Sequence, residues 1–328
     1  MNARHSVLAL AMLAAASLVA TKAVAGTDYL DVEMPTWGRL LGHLPALNGR
    51  DLNGVGLNDD ALKGRQIVAV SAYGATLDGS PLDAVWAEES RIHATNARGK
   101  KVGLKALERA VLQGVLEDGQ TLPLYVQSAE QHPSKANKDV WGYEVWYEAD
   151  STLAPLCGVD EDGAPILAIP LAGRWNYGEG VEGGGDWLDD PASFTFACEG
   201  YVLAKCVVAG YKPWRQMRVC SAGSGCETTT IASYHQACTR ALRADYFGDG
   251  TAHTVDGTLI NMYDGLGIRL DSEPWPIEAE WTEHGAVCVS QTRIPTEQTF
   301  AQPLLAEDCG DVTYFVDSTL LITEVGML

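Results

Sequence analysis

Eight cysteines, at positions 157, 198, 206, 220, 226, 238, 288 and 309, are the residues best placed to do chemistry, and none precedes Leu156. Cys198 stands just before GYVLAKCVVAGY, a stretch apolar except at Lys205 that reads as a buried helix. A helix N-terminus lowers a thiol pKa, and His253 or His284 further along supplies a base. That set describes a cysteine hydrolase. The local signature of papain-like enzymes is missing, however, and seven other cysteines offer Cys198 a disulfide partner. A second chemistry would use His235-x-x-Cys238, one helical turn apart, with Cys220 and Cys226 as metal ligands. These spacings match no zinc module, so no metal and no cofactor are expected.

All eight cysteines are therefore read as structural, making up to four disulfides in an oxidising compartment. Were the helix to run back to Cys198, that residue and Cys206 would lie about 12 Å apart. A disulfide needs Cα atoms within about 7 Å, so the two pair elsewhere. Cys220 and Cys226 bracket Ser-Ala-Gly-Ser-Gly and are candidates to close a small loop. Cys288, on a strand, and Cys309, in the following loop, form another candidate pair.

A second helix is expected from about Thr230 to Phe247, with Gly248 ending it. Its apolar stripe includes Ile231, Tyr234, Cys238, Ala241 and Leu242, and Asp245 falls on the same line seven residues after Cys238. A buried carboxylate needs a partner. Arg240 and Arg243 point elsewhere on such a helix, so a distant basic group or backbone N–H groups would hold Asp245, in a structural role. The chain also carries nine tryptophans and twelve tyrosines. Trp175, Tyr177 and Trp187 flank the glycine-rich, acidic loop NYGEGVEGGGDWLDD and are the candidate ligand-binding residues for a glycan or a protein partner.

The elements that must position these residues begin after a leader. Residues 1–25 read as a secretory signal peptide: Arg4 and His5, an apolar run from Val7 to Ala20, and Ala23-Val24-Ala25 before the cut. Removing Arg4 and Lys22 and no acid takes the net charge from -20 to -22. Such acidity disfavours nucleic acid and anionic membrane surfaces as partners, and no later stretch is apolar enough to span a bilayer. The expected location is secreted or periplasmic.

Within 26–70, Leu47, Leu52, Leu57, Leu62 and Ile67 recur every five residues and resemble a degenerate pentapeptide repeat, about one coil of β-solenoid. Residues 71–150 read as a β-rich sandwich or barrel, with a hairpin through Asp118-Gly119. Residues 151–328 read as a disulfide-braced α+β domain with two main helices.

FACEGYVLAKCVVAGYKPW followed by HQACTRALRADYFGDGTAHTVDGTLINMYD resembles the bacterial ADYC domain, a family of unknown function named for a four-residue motif. The motif reads Ala244-Asp245-Tyr246-Phe247 here, with Phe in place of Cys. The resemblance implies an exported, cysteine-stabilised domain and brings no catalytic residues. The expected role is a non-catalytic structural or interaction module, with the Cys198 hydrolase as the alternative.

Overall fold

A computed structural model describes residues 46–47, 49–54, 65–149, 151–221, 225–297, 309 and 319–326. The signal segment, Leu57 and Leu62 lie outside the described residues. The described chain opens with β1 (Ala46–Leu47) and enters β2 (Ile67–Leu77), β3 (Ser80–Glu88) and β4 (Arg91–Asn96). One helical turn, α1 (Leu104–Leu107), leads into β5 (Ala110–Leu116), β6 (Thr121–Gln131), β7 (Trp141–Ala149) and β8 (Thr152–Pro155). Then come β9 (Ala168–Ala172), β10 (Arg174–Trp175), β11 (Trp187–Leu188) and β12 (Ser193–Cys198). Helices α2 (Val202–Val208) and α3 (Ala232–Arg243) flank the hairpin of β13 (Gln216–Ser221) and β14 (Gly225–Thr230). β15 (Leu259–Asp264), β16 (Ile277–Thr282), β17 (Gly285–Val289) and β18 (Leu321–Glu324) complete it.

Six antiparallel strands close into a barrel in the order β12-β9-β7-β6-β5-β2, with Ser193 and Phe194 returning to Ser71 and Val70. The alternation in β5, buried at every second residue, is what a strand with one face on a core requires. Val70, Leu112, Leu124, Val126, Tyr143, Val145, Phe194 and Phe196 are all buried in this core. A barrel this small is filled by its own side chains. The closure depends on β2 changing partners. Its pairing with β5 slips between Ser71 and Thr76, where Gly74 takes a φ of 80°. Before the slip β2 lies beside β12, and after it beside β3. A bulge of this kind bends a strand and turns a barrel corner. The β3–β4 hairpin thus swings off the barrel wall, with Ile92 N–H donating to the Tyr143 hydroxyl at 2.9 Å.

A five-stranded sheet in the order β1-β15-β18-β16-β17 packs against α3, which α2 flanks, giving a second core that includes Trp281, Met262, Leu321, Leu203 and Leu242. The fold is β-rich. The α-helices among the described residues have 4, 7 and 12 residues, so α3 alone has the length expected of a main helix. The sequence boundary at residue 150 falls inside the barrel, which takes β9 and β12 from beyond it.

The described parts of the period-five segment do not bear out a coil. Leu47 pairs in β1 with Leu259, Leu52 is buried beside α2, and Ile67 opens the barrel strand β2. Instead the Asp51 and Leu52 carbonyls accept the first N–H groups of α2, from Val202 and Leu203 at 3.2 and 2.9 Å. Those groups need an outside partner, because α2 has no side-chain cap.

Three disulfides are described: Cys157–Cys198 bolts the barrel wall, Cys206–Cys238 joins α2 to α3, and Cys288–Cys309 staples the C-terminal sheet. Cys226 is also disulfide-bonded, and Cys220 stands opposite it in the β13–β14 register. Among the described residues no cysteine is free, so the exchange of Cys for Phe at 247 leaves no orphan thiol there. These disulfides, and the lack among the described residues of any helix long and apolar enough to cross a membrane, are compatible with a secreted or periplasmic protein.

Candidate functional site

The organising feature is the end of α3. The helix stops at Arg243, four residues before the expected end, because Ala244 takes the left-handed conformation at φ 52°. Asp245 N–H then bonds back to the Arg240 carbonyl at 3.0 Å, as in a Schellman closure. This reversal corrects the helical-wheel expectation that Arg240 points away from Asp245. The fully buried Asp245 carboxylate accepts from Arg240 Nη1 and from the backbone N–H groups of Asp249 and Gly250, at 3.1 and 3.0 Å. Burial pushes its pKa above the ordinary carboxylate value, and Arg240 pulls the other way.

Tyr246 turns into the second core. Its ring stacks on Trp281 at 5.4 Å, and its hydroxyl donates to Glu278 at 2.7 Å. Glu278 is held by Arg293 through two bonds, at 2.6 and 2.7 Å. Arg293 also donates to the Ala241 carbonyl at 2.7 Å, capping the C-terminus of α3. Burial pushes the Tyr246 hydroxyl well above its ordinary value, so it stays protonated and donates. Phe247 lies edge-on to His253, with ring centroids 6.0 Å apart.

Arg240 faces two ways. Besides Asp245 it donates to Asp186 through Nη2 and to the Gly184 carbonyl through Nη1, both at 2.5 Å, and to the Glu283 carbonyl at 3.3 Å. The glycine-rich loop is thereby wrapped around one guanidinium. Two of its glycines are required sterically: a Cβ on Gly184 would run into the Asp249 carbonyl, and one on Gly185 would meet Arg240.

The wrapped loop forms one wall of a cleft of about 550 Å³. Trp175, Trp187 and Trp214 line it, with Asp186, Glu283 and His284 from the loop and from the β16–β17 turn. Ser233, His235 and Gln236 from the start of α3 form the floor, and Glu89 and Ser90 contribute from the β3–β4 tip. Both tip residues have positive φ, 48° and 59°, a strained pair for non-glycine residues. The Ser90 hydroxyl holds the tip in place, accepting from Trp141 N–H at 3.0 Å. The indoles are fixed as well. Trp175 Nε1 donates to Gln236 at 3.2 Å, and Trp187 Nε1 donates to the Ala172 carbonyl at 2.9 Å. Trp187 nevertheless remains 41% exposed.

Of the aromatic candidates, Trp175 and Trp187 meet in this cleft and Tyr177 does not line it. Tyr177 packs against the second core, where burial raises its hydroxyl pKa. The hydrolase set is not assembled. Cys198 ends β12 in the barrel core, disulfide-bonded to Cys157 with Cα atoms 5.4 Å apart, and so offers no thiolate. His253 is stacked on Tyr246 in the other core, and His284 is exposed at the cleft rim. Nor does a His235–Cys238 metal pair stand ready, since Cys238 is bonded to Cys206 and His235 Nε2 contacts the Leu203 carbonyl at 3.2 Å. Glu89, Asp186, Trp214 and Glu283 escaped sequence reasoning. A signal existed only for Asp186, which sits beside Trp187 in the loop.

The ADYC domain profile matches residues 105–295, more than half of the chain. The chain belongs to the ADYC domain family. No curated protein and no solved structure matches it. In this ADYC domain the matched span runs from α1 in the barrel region to the residues just past Arg293, and takes in the cleft-lining residues except Glu89 and Ser90 of the β3–β4 tip. The motif itself has no part in lining the cleft. Asp245 and Tyr246 act on it through Arg240 and through the seat of α3.

Proposed function

We propose that this ADYC-family chain is an exported, non-catalytic interaction module that binds its ligand in the cleft between the barrel and α3. One observation supports this above others: three indoles, two of them anchored by hydrogen bonds, wall a concave space of about 550 Å³. Ligand sites are typically concave, largely apolar, and furnished with a few fixed polar groups. The disulfides and the leader-like N-terminus support export. The motif acts as the frame that keeps the cleft open.

The test is a ligand screen by thermal shift on the native, oxidised protein, with every hit repeated on Trp187→Ala. Trp187 is part exposed, so its loss should leave the fold intact by circular dichroism while weakening true cleft ligands at least tenfold. Hits that bind the variant unchanged would sink the reading.

A further inference from the structure

Resting on the binding reading above, we propose that the cleft selects a ligand carrying a primary ammonium group on an apolar body. The protein has already used several of the hydrogen-bonding groups around the cleft. Trp175 Nε1 is satisfied by Gln236 Oε1, Gln236 Nε2 by the Gly185 carbonyl at 2.8 Å, and Trp187 Nε1 by the Ala172 carbonyl. These donors are turned inward, to the protein.

The acceptors are not. His235 is 1% exposed and lines the cleft. Its Nε2 faces a carbonyl, which only accepts, so Nε2 must carry the proton. Burial holds the ring pKa down to about 4, so the imidazole is neutral at pH 7 and Nδ1 is a bare acceptor. No described residue bonds to Nδ1. Among the described residues the cleft's fixed charges are carboxylates, and no Lys or Arg lines it. Glu89 makes no ion pair among the described residues. Asp186 and Asp245 share the single Arg240 guanidinium, which leaves that trio one negative charge in excess. The indole faces add the quadrupole that attracts an ammonium, and a chain of net charge -20 steers cations toward it. The first turn of α3 also lines the cleft, and a helix N-terminus suits an anion. Trp214 Nε1 has no partner among the described residues either. An anionic probe is therefore one arm of the test.

The experiment is tryptophan-fluorescence titration of the full oxidised protein at two salt concentrations. Four probes are compared: n-butylammonium, Nα-acetyl-lysine methylamide, N-acetylglucosamine and N-acetylglycine. The first two separate a free amine from a basic peptide side chain as the source of the ammonium. Saturable binding of either, weakened by salt and about fivefold by Glu89→Gln, is the expected result. Trp187→Ala should abolish it. Saturation by the neutral sugar or the anion, with none by the ammonium probes, overturns the ligand class while leaving the cleft as a binding site. Silence from all four, together with no hit in the broader screen that depends on Trp187, overturns both. Ammonium binding unchanged in Glu89→Gln and in His235→Leu would also overturn the acceptor assignment.

Discussion

Replacing Asp245 with alanine removes the acceptor on which the end of α3 is closed. The side chain is fully buried and accepts three hydrogen bonds, one from Arg240 and two from backbone N–H groups. Hydrogen bonds to a charged group contribute about 1.5–3 kcal/mol each, and removing one member of a buried ion pair costs about 3–5 kcal/mol. Asp245→Ala should therefore destabilise the oxidised protein by about 3–5 kcal/mol, against a typical total of about 5–15 kcal/mol. Arg240 keeps other partners after the change, namely Asp186 and the Gly184 and Glu283 carbonyls. Arg240→Met alone should thus be harmful too, and the double variant should be less harmful than the sum, with a coupling of about 2 kcal/mol. Urea unfolding of the wild type, both single variants and the double variant, with disulfides intact, measures all four terms. A loss under about 1 kcal/mol for Asp245→Ala, or strict additivity in the cycle, would refute the view of this motif as a load-carrying hub.

Peptide mapping of the unreduced protein should recover Cys157–Cys198, Cys206–Cys238 and Cys288–Cys309, with no alkylation at Cys198; a labelled Cys198 would revive a nucleophile. His235 has a folded pKa of about 4 against an ordinary value near 6.5, because burial disfavours its charge. The unfolded chain then binds a proton that the native state refuses, so stability is complete above pH 6.5 and falls as pH drops toward 4, by about 3 kcal/mol. His235→Leu should flatten this slope in denaturant titrations between those pH values. Gly184→Ala forces a methyl against the Asp249 carbonyl and should destabilise by about 2–3 kcal/mol while weakening cleft ligands, read by thermal shift with and without the tightest hit.

Local patterns were the most legible in the sequence. Asp118-Gly119 marked the β5–β6 hairpin, and Gly119 indeed takes the left-handed φ of 82° that such a turn requires. Cys288 with Cys309 was also predictable, being two cysteines near in sequence at a strand and its following loop. Barrel closure was not legible, because it rests on Ser193 and Phe194 finding Ser71 and Val70, a pairing no periodicity encodes. The β3–β4 turn was hidden because its two left-handed residues are Glu89 and Ser90 rather than Asn-Gly. For Asp245 the expected backbone N–H partners are present, from Asp249 and Gly250, while Arg240 was hidden for the same kind of reason: Ala244, an ordinary helix former, reverses the chain. Trp175 and Trp187 line the cleft, and a glycine-rich loop flanked by indoles is visible in one dimension. Trp214 and Glu89 reach the cleft only through tertiary folding.

The decisive observable is where a ligand sits. A structure of the protein with its tightest ligand, or a chemical-shift map of the indole N–H groups during titration, reads this directly. The ligand is expected between Trp175, Trp187 and Trp214, with the largest shifts at those indoles and none at Trp281. A ligand seated away from these three, such as in the smaller pocket beside Trp275 and Arg293, would contradict it.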